Sequence, residues 1–219
     1  MPHLLLDIHT HSKEEPIQEG ERRLISFALG RDSFVLNDKK RYSVGYHPWY
    51  LPHDDLESSL DKLIEYASQP PVVAIGECGL DKLCETPQEQ QLYFFEQQLI
   101  LATKLQKPLI LHVVKSWEEV LKSIKKCKVS SPLIVHGFRG KPQLAQQLID
   151  KGFYLSFGEN FHPDSMLLTF ESERLFLETD TSSLSIQEIY NNASKVLHIS
   201  EEHLQESLAR TASQVGLIL

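Results

Sequence analysis

Three observations predict a (β/α)8 TIM-type barrel: eight short apolar runs, amphipathic stretches between the later ones, and polar residues closing most of the runs. At 219 residues the chain is short for that architecture, which typically takes about 250. The shortening falls in the early connections and again near the C-terminus. Little room for a helix precedes the second run, and almost none separates the second from the third. No low-complexity segment, repeat or Pro/Gly-rich linker interrupts the chain, so residues 1–219 read as a single domain with a full core.

The apolar runs read as strands at Leu4–Ile8, Leu24–Leu29, Tyr42–Tyr46, Val72–Gly76, Leu109–Val113, Leu133–His136, Phe153–Phe157 and Arg174–Glu178. Helical periodicity covers Asp54 to Ala67, Ser116 to Cys127, Pro142 to Lys151, Ile186 to Leu197 and Glu201 to Val215. A further helix is signalled by Thr86-Pro87-Gln88-Glu89, read as a cap, an N1 proline and an early acid. Leu92, Phe95, Leu99, Ala102 and Leu105 then form its apolar face. Gly152 is a stop signal after the Pro142 helix.

Composition narrows the class. Hydrophobic residues at 41% and charged residues at 24% are ordinary for a soluble globular protein. No apolar run approaches a membrane span, and the N-terminal residues lack the basic and apolar regions of a signal peptide. Three cysteines, Cys78, Cys84 and Cys127, do not make a disulfide framework, and a cytoplasmic location is expected. A net charge of −8 argues against broad electrostatic gripping of nucleic acid, but bound divalent ions can supply positive charge locally.

In a parallel barrel the chemistry gathers at the carboxyl ends of the strands. Reading off those ends gives Asp7, His9 and His11, then His47, Glu77, His112, His136 and Asp180. In a strand Asp7, His9 and His11 share one face. Taken alone, His112 reads as a core histidine, and Glu77 or Asp180 as a helix cap. Their recurrence on six strands is better explained by one or two bound cations, because buried unpaired carboxylates are costly. Cys78 should face away from Glu77 and pack as a thiol. His3, His53, His162, His198 and His203 read as surface or cap residues, with His162 alone near enough to reach a site.

The segments DIHTH, GYHP, GECGLD, the glutamine-bearing helix (Gln91, Phe95, Gln98, Leu99), LH, HGF and ETD occur in the order of the TatD family, which this chain resembles along nearly its whole length. That family consists of metal-dependent hydrolases, including deoxyribonucleases, within the amidohydrolase superfamily. The resemblance implies His9 and His11 on one metal ion, His112 and His136 on a second, Glu77 bridging and Asp180 beside the first. The ions would be zinc, manganese or magnesium. The sequence departs from the family at Val114, where an arginine is usual, at Thr181 and Ser182 after ETD, and at Arg210-Thr211 near the C-terminus. These departures bear on substrate choice and leave the ligands intact.

The expected reaction is hydrolysis of a phosphodiester in DNA or a short oligonucleotide by metal-activated water, with Asp180 and Glu77 as the catalytic carboxylates. Asp180 would orient the water and accept its proton. His47, Asp81, Lys115, Arg139 and Trp49 are the candidate substrate-facing or supporting residues, Trp49 by stacking an unpaired base. The lysines and arginine at 39–41, with Lys122, Lys125, Lys126 and Lys128, precede strands and read as solvated faces. So few basic contacts suit chain ends, hence an exonuclease-like enzyme whose direction of digestion stays open. No obligate protein partner is evident. An enzyme cleaving a small ester or amide would use the same ligands, and a non-catalytic metal-binding module is the third reading.

Overall fold

The computed structural model describes residues 4–14, 19–52, 54–217 and 219. All eight expected strands form: β1 Leu5–Thr10, β2 Glu21–Ala28, β3 Arg41–Gly45, β4 Val72–Asp81, β5 Leu109–Val114, β6 Leu133–Val135, β7 Tyr154–Phe157 and β8 Leu175–Leu177. They belong to one sheet in chain order, β1 through β8, with parallel pairing. An isolated parallel bridge joins Thr10 to Asp180, just past β8. Sequential parallel order with intervening helices is the topology of a (β/α)8 barrel.

The helices are α1 Leu56–Ala67, α2 Gln88–Leu105, α3 Trp117–Cys127, α4 Pro142–Ile149, α5 Pro163–Glu171, α6 Ile186–Leu197 and α7 Glu201–Gln214. Among the described residues no helix lies between β1 and β2 or between β2 and β3, as the spacing requires. Helix α5 is an addition to the expected set. It starts on an N1 proline, but its buried face includes Ser165 and Thr169 beside Met166, and small polar residues blur the apolar periodicity. Thr86 does not cap α2. Pro87 occupies that position without a side-chain bond, and the Thr86 carbonyl instead accepts from Gln91 Nε2 at 2.7 Å.

The chain divides into two compact units. One comprises Met1–Ile25 with Leu133–Leu219. Ile8, Ile134, Leu155, Phe157, Phe176 and Leu177 are buried there from its strands, and Tyr190, Ala193, Leu204 and Leu208 from α6 and α7. The Tyr190 hydroxyl accepts from the Leu6 amide at 3.1 Å and donates to the Leu6 carbonyl at 3.3 Å, fixing β1 just before its polar residues. Ser185 starts α6 with a reciprocal capping box to Glu188, so the connection after β8 is as short as expected.

The other unit is Ser26–Pro132. Buried Phe94, Phe95, Leu99 and Ala102 of α2 belong to a core that includes Ala74 and Ile75 of β4. The two glutamines of the helix motif clamp main chain. Gln98 accepts from the Tyr46 amide at 2.7 Å and donates to its carbonyl at 3.1 Å. Gln91 does the same for Asp81, at 2.8 and 3.0 Å. Both side chains are buried, so these bonds satisfy groups that water cannot reach.

Strand β4 extends to Asp81, five residues past the expected end at Gly76, so GECGLD is strand. Gly79 permits this. Its φ is +152°, and a Cβ there would stand 1.8 Å from the His112 carbonyl oxygen. Cys78 is fully buried, with Sγ 3.8 Å from the Ile110 carbonyl, and burial followed by the Glu77 charge pushes its thiol far above the ordinary range. A thiol reagent at pH 8 should therefore label Cys84 and Cys127 in the folded protein and Cys78 only after unfolding, read by peptide mass.

Candidate metal centre

In the first unit the donors come from the ends of β1, β6 and β8. His9, His136 and Asp180 each present a ligand atom, all within 4.8 Å of one another. The His9 and His136 rings lie 4.3 Å apart between centroids, and His9 and His11 5.1 Å apart. Asp180 Oδ1 stands 3.8 Å from His9 Nε2 and 3.5 Å from His11 Nε2. Its main chain is what puts it there. Asp180 has φ +50°, a conformation that aspartate tolerates better than most residues. Its amide donates to the His9 carbonyl at 2.8 Å, and its carbonyl accepts from the His11 amide at 3.3 Å.

Two further carboxylates complete this unit's cluster. Glu178 is fully buried, and its Oε1 accepts from the Gly137 amide at 2.7 Å and lies 3.3 Å from His136 Nδ1. Burial pushes its pKa up, but the His136 hydrogen bond and charge, with the His9 charge, outweigh burial and hold it below the ordinary carboxylate value. Asp7 faces the main chain that carries Asp180: it accepts from the Thr179 amide at 3.0 Å and hydroxyl at 2.7 Å. Burial raises the Asp7 carboxyl to about 7 against those bonds, and the Glu178 charge adds to the rise.

In the second unit His47, Glu77 and His112 form another set with ligand atoms within 4.8 Å. Glu77 Oε1 lies 3.2 Å from His47 Nε2 and 3.0 Å from His112 Nδ1. The other His112 nitrogen, Nε2, is 3.2 Å from Asp81 Oδ2. Asp81 also accepts from the Trp49 indole at 2.8 Å and from the Leu83 amide at 2.8 Å. Burial raises its pKa, but the bonds from Trp49 and Leu83 and then His112 prevail, and the net shift is downward. A carboxylate on the far nitrogen of a ligating histidine fixes its tautomer and orientation. Asp81 is built to do that for His112, as Glu178 is for His136.

Each set combines two imidazoles with one carboxylate, donors that divalent transition ions accept. The residues therefore fit a metal. Of the expected ligands, His9, His11, His136 and Asp180 gather in one unit, and Glu77 and His112 in the other with His47, which stands within ligand distance of Glu77. Arg139, Asn160, Asp180 and Ser182 line a cavity of about 150 Å3 in the first unit. Lys115 is exposed with φ +52°. His162 and His198 sit at helix caps, His203 lies in the first turn of α7, and His3 and His53 fall outside the described residues.

Glu178 and the His47–Glu77 contact were not read from the sequence as functional. The signal for Glu178 is the ETD triplet itself, whose first residue reads as the end of a strand. His47 and Glu77 are 30 residues apart, and only the fold brings them together.

Comparison with known proteins bears on the family and the fold. The family model for TatD-related DNases matches residues 33–215. The chain is 36% identical over 146 residues to the 3'-5' ssDNA/RNA exonuclease TatD of Salmonella typhimurium, covering 61% of this chain and 56% of that protein. It is 33% identical over 158 residues to the uncharacterized metal-dependent hydrolase YjjV of Escherichia coli, covering 67% and 60%. The chain thus spans less than two thirds of the length of these two curated relatives. The crystal structure of Escherichia coli YjjV superposes with a TM-score of 0.81 at 20% identity, over 98% of both chains, and shares the barrel fold. On the length and identity of these matches, the chain belongs to the TatD-related DNase family.

Proposed function

We propose that this protein is a metal-dependent phosphodiesterase that shortens single-stranded nucleic acid from an end, with residues 1–219 acting as one catalytic domain. The observation that carries it is the pair of histidine–carboxylate sets, one of which includes Asp180 at 26% side-chain exposure. The name of the Salmonella relative supports the same reading. In the first unit His9, His11, His136 and Asp180 would hold one ion, and in the second Glu77 and His112 would hold another. A divalent cation held there acidifies water and neutralises charge developing on phosphate oxygens.

The residues divide the remaining work. Asp180 takes the proton of the attacking water as the water oxygen bonds to phosphorus; the phosphorus–oxygen bond to the departing nucleotide breaks, and the departing oxygen takes up a proton from solvent. Glu178 and Asp81 hold His136 and His112 in register, and His47 braces Glu77. Arg139, Lys115 and Lys141 are the cations following β5 and β6 that would meet phosphate. So few contacts give a small footprint and a shallow salt dependence. An imidazole-rich donor set suits zinc or manganese better than magnesium.

The test is hydrolysis of end-labelled single-stranded DNA by the purified protein with magnesium, manganese or zinc supplied in turn. Stepwise shortening that a chelator stops and added metal restores is the expected result. No shortening, with metal confirmed bound, would sink the nuclease reading and move the reaction to a small ester or amide.

A further inference from the structure

Beside its donor set, the second unit carries a cavity of about 450 Å3, bounded by Trp49 and the segment from Cys84 to Pro87. Trp49 is 54% exposed, although tryptophan is on average a heavily buried residue. It is nevertheless held in place. Its indole N–H donates to Asp81 Oδ2 at 2.8 Å, and its amide donates to His47 Nδ1 at 3.1 Å. Its ring meets His47 edge to face, with centroids 5.0 Å and planes 86° apart. The polar edge of the indole is committed to the donor cluster, and its apolar surface lines the cavity.

The opposite wall is fixed as well. Gln91 Nε2 donates to the Thr86 carbonyl at 2.7 Å and lies 3.1 Å from Cys84 Sγ. Cys84 Sγ in turn lies 3.3 Å from the Asp81 carbonyl. Among the described residues the lining includes no lysine or arginine, and Glu85 contributes a carboxylate, so these residues disfavour phosphate. A pre-formed, open space of this volume with a rigid aromatic wall accepts a flat, uncharged heterocycle.

We propose that this cavity seats an unpaired nucleobase stacked on Trp49, a binding site that rests on the nucleic-acid reading above. A base within a duplex has both faces covered by its neighbours, so the site selects single strands. Stacking on an aromatic side chain is tolerant of base identity, because every base has a π-face. Trp49 is a binding residue for the substrate's base. Through Asp81 it also ties an occupied cavity to His112.

The experiment compares two ligands of equal length and charge: a thymidine tetranucleotide and a tetramer of abasic deoxyribose phosphate. Affinity is measured by calorimetry on metal-loaded protein carrying Asp180→Asn, to prevent turnover. Emission of Trp49 is followed in the same background with Trp117→Phe. The tetranucleotide should quench Trp49 saturably and bind roughly 5- to 100-fold more tightly than the abasic tetramer. Trp49→Ala should abolish that difference, and Trp49→Phe, which keeps an aromatic face, should restore most of it. Thermal melts of both variants establish that they are folded.

Equal binding of the two tetramers, or an unchanged preference in folded Trp49→Ala, would overturn the proposal. Active protein given the same tetranucleotide separates this site from the activity. Hydrolysis without a base-dependent affinity would overturn the base site and leave the nuclease standing. A base-dependent affinity without hydrolysis would keep the site and remove the nuclease.

Discussion

Asp180→Asn is expected to lower hydrolysis by roughly a hundred- to ten-thousand-fold, the range associated with a general base, while the protein melts at the same temperature. Asparagine keeps the shape of the side chain and removes its charge and its capacity to accept the water's proton. It also tolerates the left-handed backbone at φ +50° about as well as aspartate. The main-chain bonds to His9 and His11 involve no side-chain atom and survive the change. Asp180→Ala is the instructive contrast, since alanine in that conformation adds a backbone cost of about 1–2 kcal/mol. The measurements are kcat on end-labelled single strands and a thermal melt for each protein. An Asp180→Asn enzyme with wild-type kcat would move the proton acceptor elsewhere, with Glu77 next in line.

Glu178→Gln should weaken metal binding by about 10- to 100-fold without unfolding the protein. The Gly137 amide and His136 Nδ1 converge on one oxygen, Oε1, and the Ser156 hydroxyl also bonds the carboxylate. A glutamine oxygen can accept both, so the substitution isolates the charge. Without that charge His136 becomes a poorer base and a poorer ligand. Metal content after dialysis against graded chelator would report it, together with the metal concentration needed for half-maximal activity.

The same substitution has a pH signature. The Glu178 carboxyl is held below its ordinary value of 4.5 in the folded protein, so its stabilising contribution is complete above that pH. The contribution is lost as pH falls through the lower folded value. Wild type should therefore lose stability in that acid window more steeply than Glu178→Gln, and equal slopes would remove the charge argument. Glu178→Ala would also strand the Gly137 amide, at about 1–3 kcal/mol.

The strands and ligand types were legible in the sequence because both are local. The LLLDIHTH and LILHV runs carry their own alternation, and a histidine at the end of a buried run stands out. The clamp made by Gln91 and Gln98 was visible as a motif, but its purpose was not. Its partners, Asp81 and Tyr46, lie 10 and 52 residues away. Helix α5 escaped because its buried face is partly serine and threonine. Glu178 escaped because a strand-terminal glutamate is silent until the histidine it faces, 42 residues earlier, is brought beside it.

What the sequence by itself determined is the barrel topology and which histidines and carboxylates close its strands, since period-two alternation and strand-end chemistry are written residue by residue. Only the tertiary structure decided how those donors are supported. Asp81 holds His112 and Trp49 together, Glu178 holds His136, and the β1 main chain fixes Asp180. The physical reason is that such support is a set of hydrogen bonds between residues far apart in the chain. Their geometry follows from packing and leaves no period in the sequence.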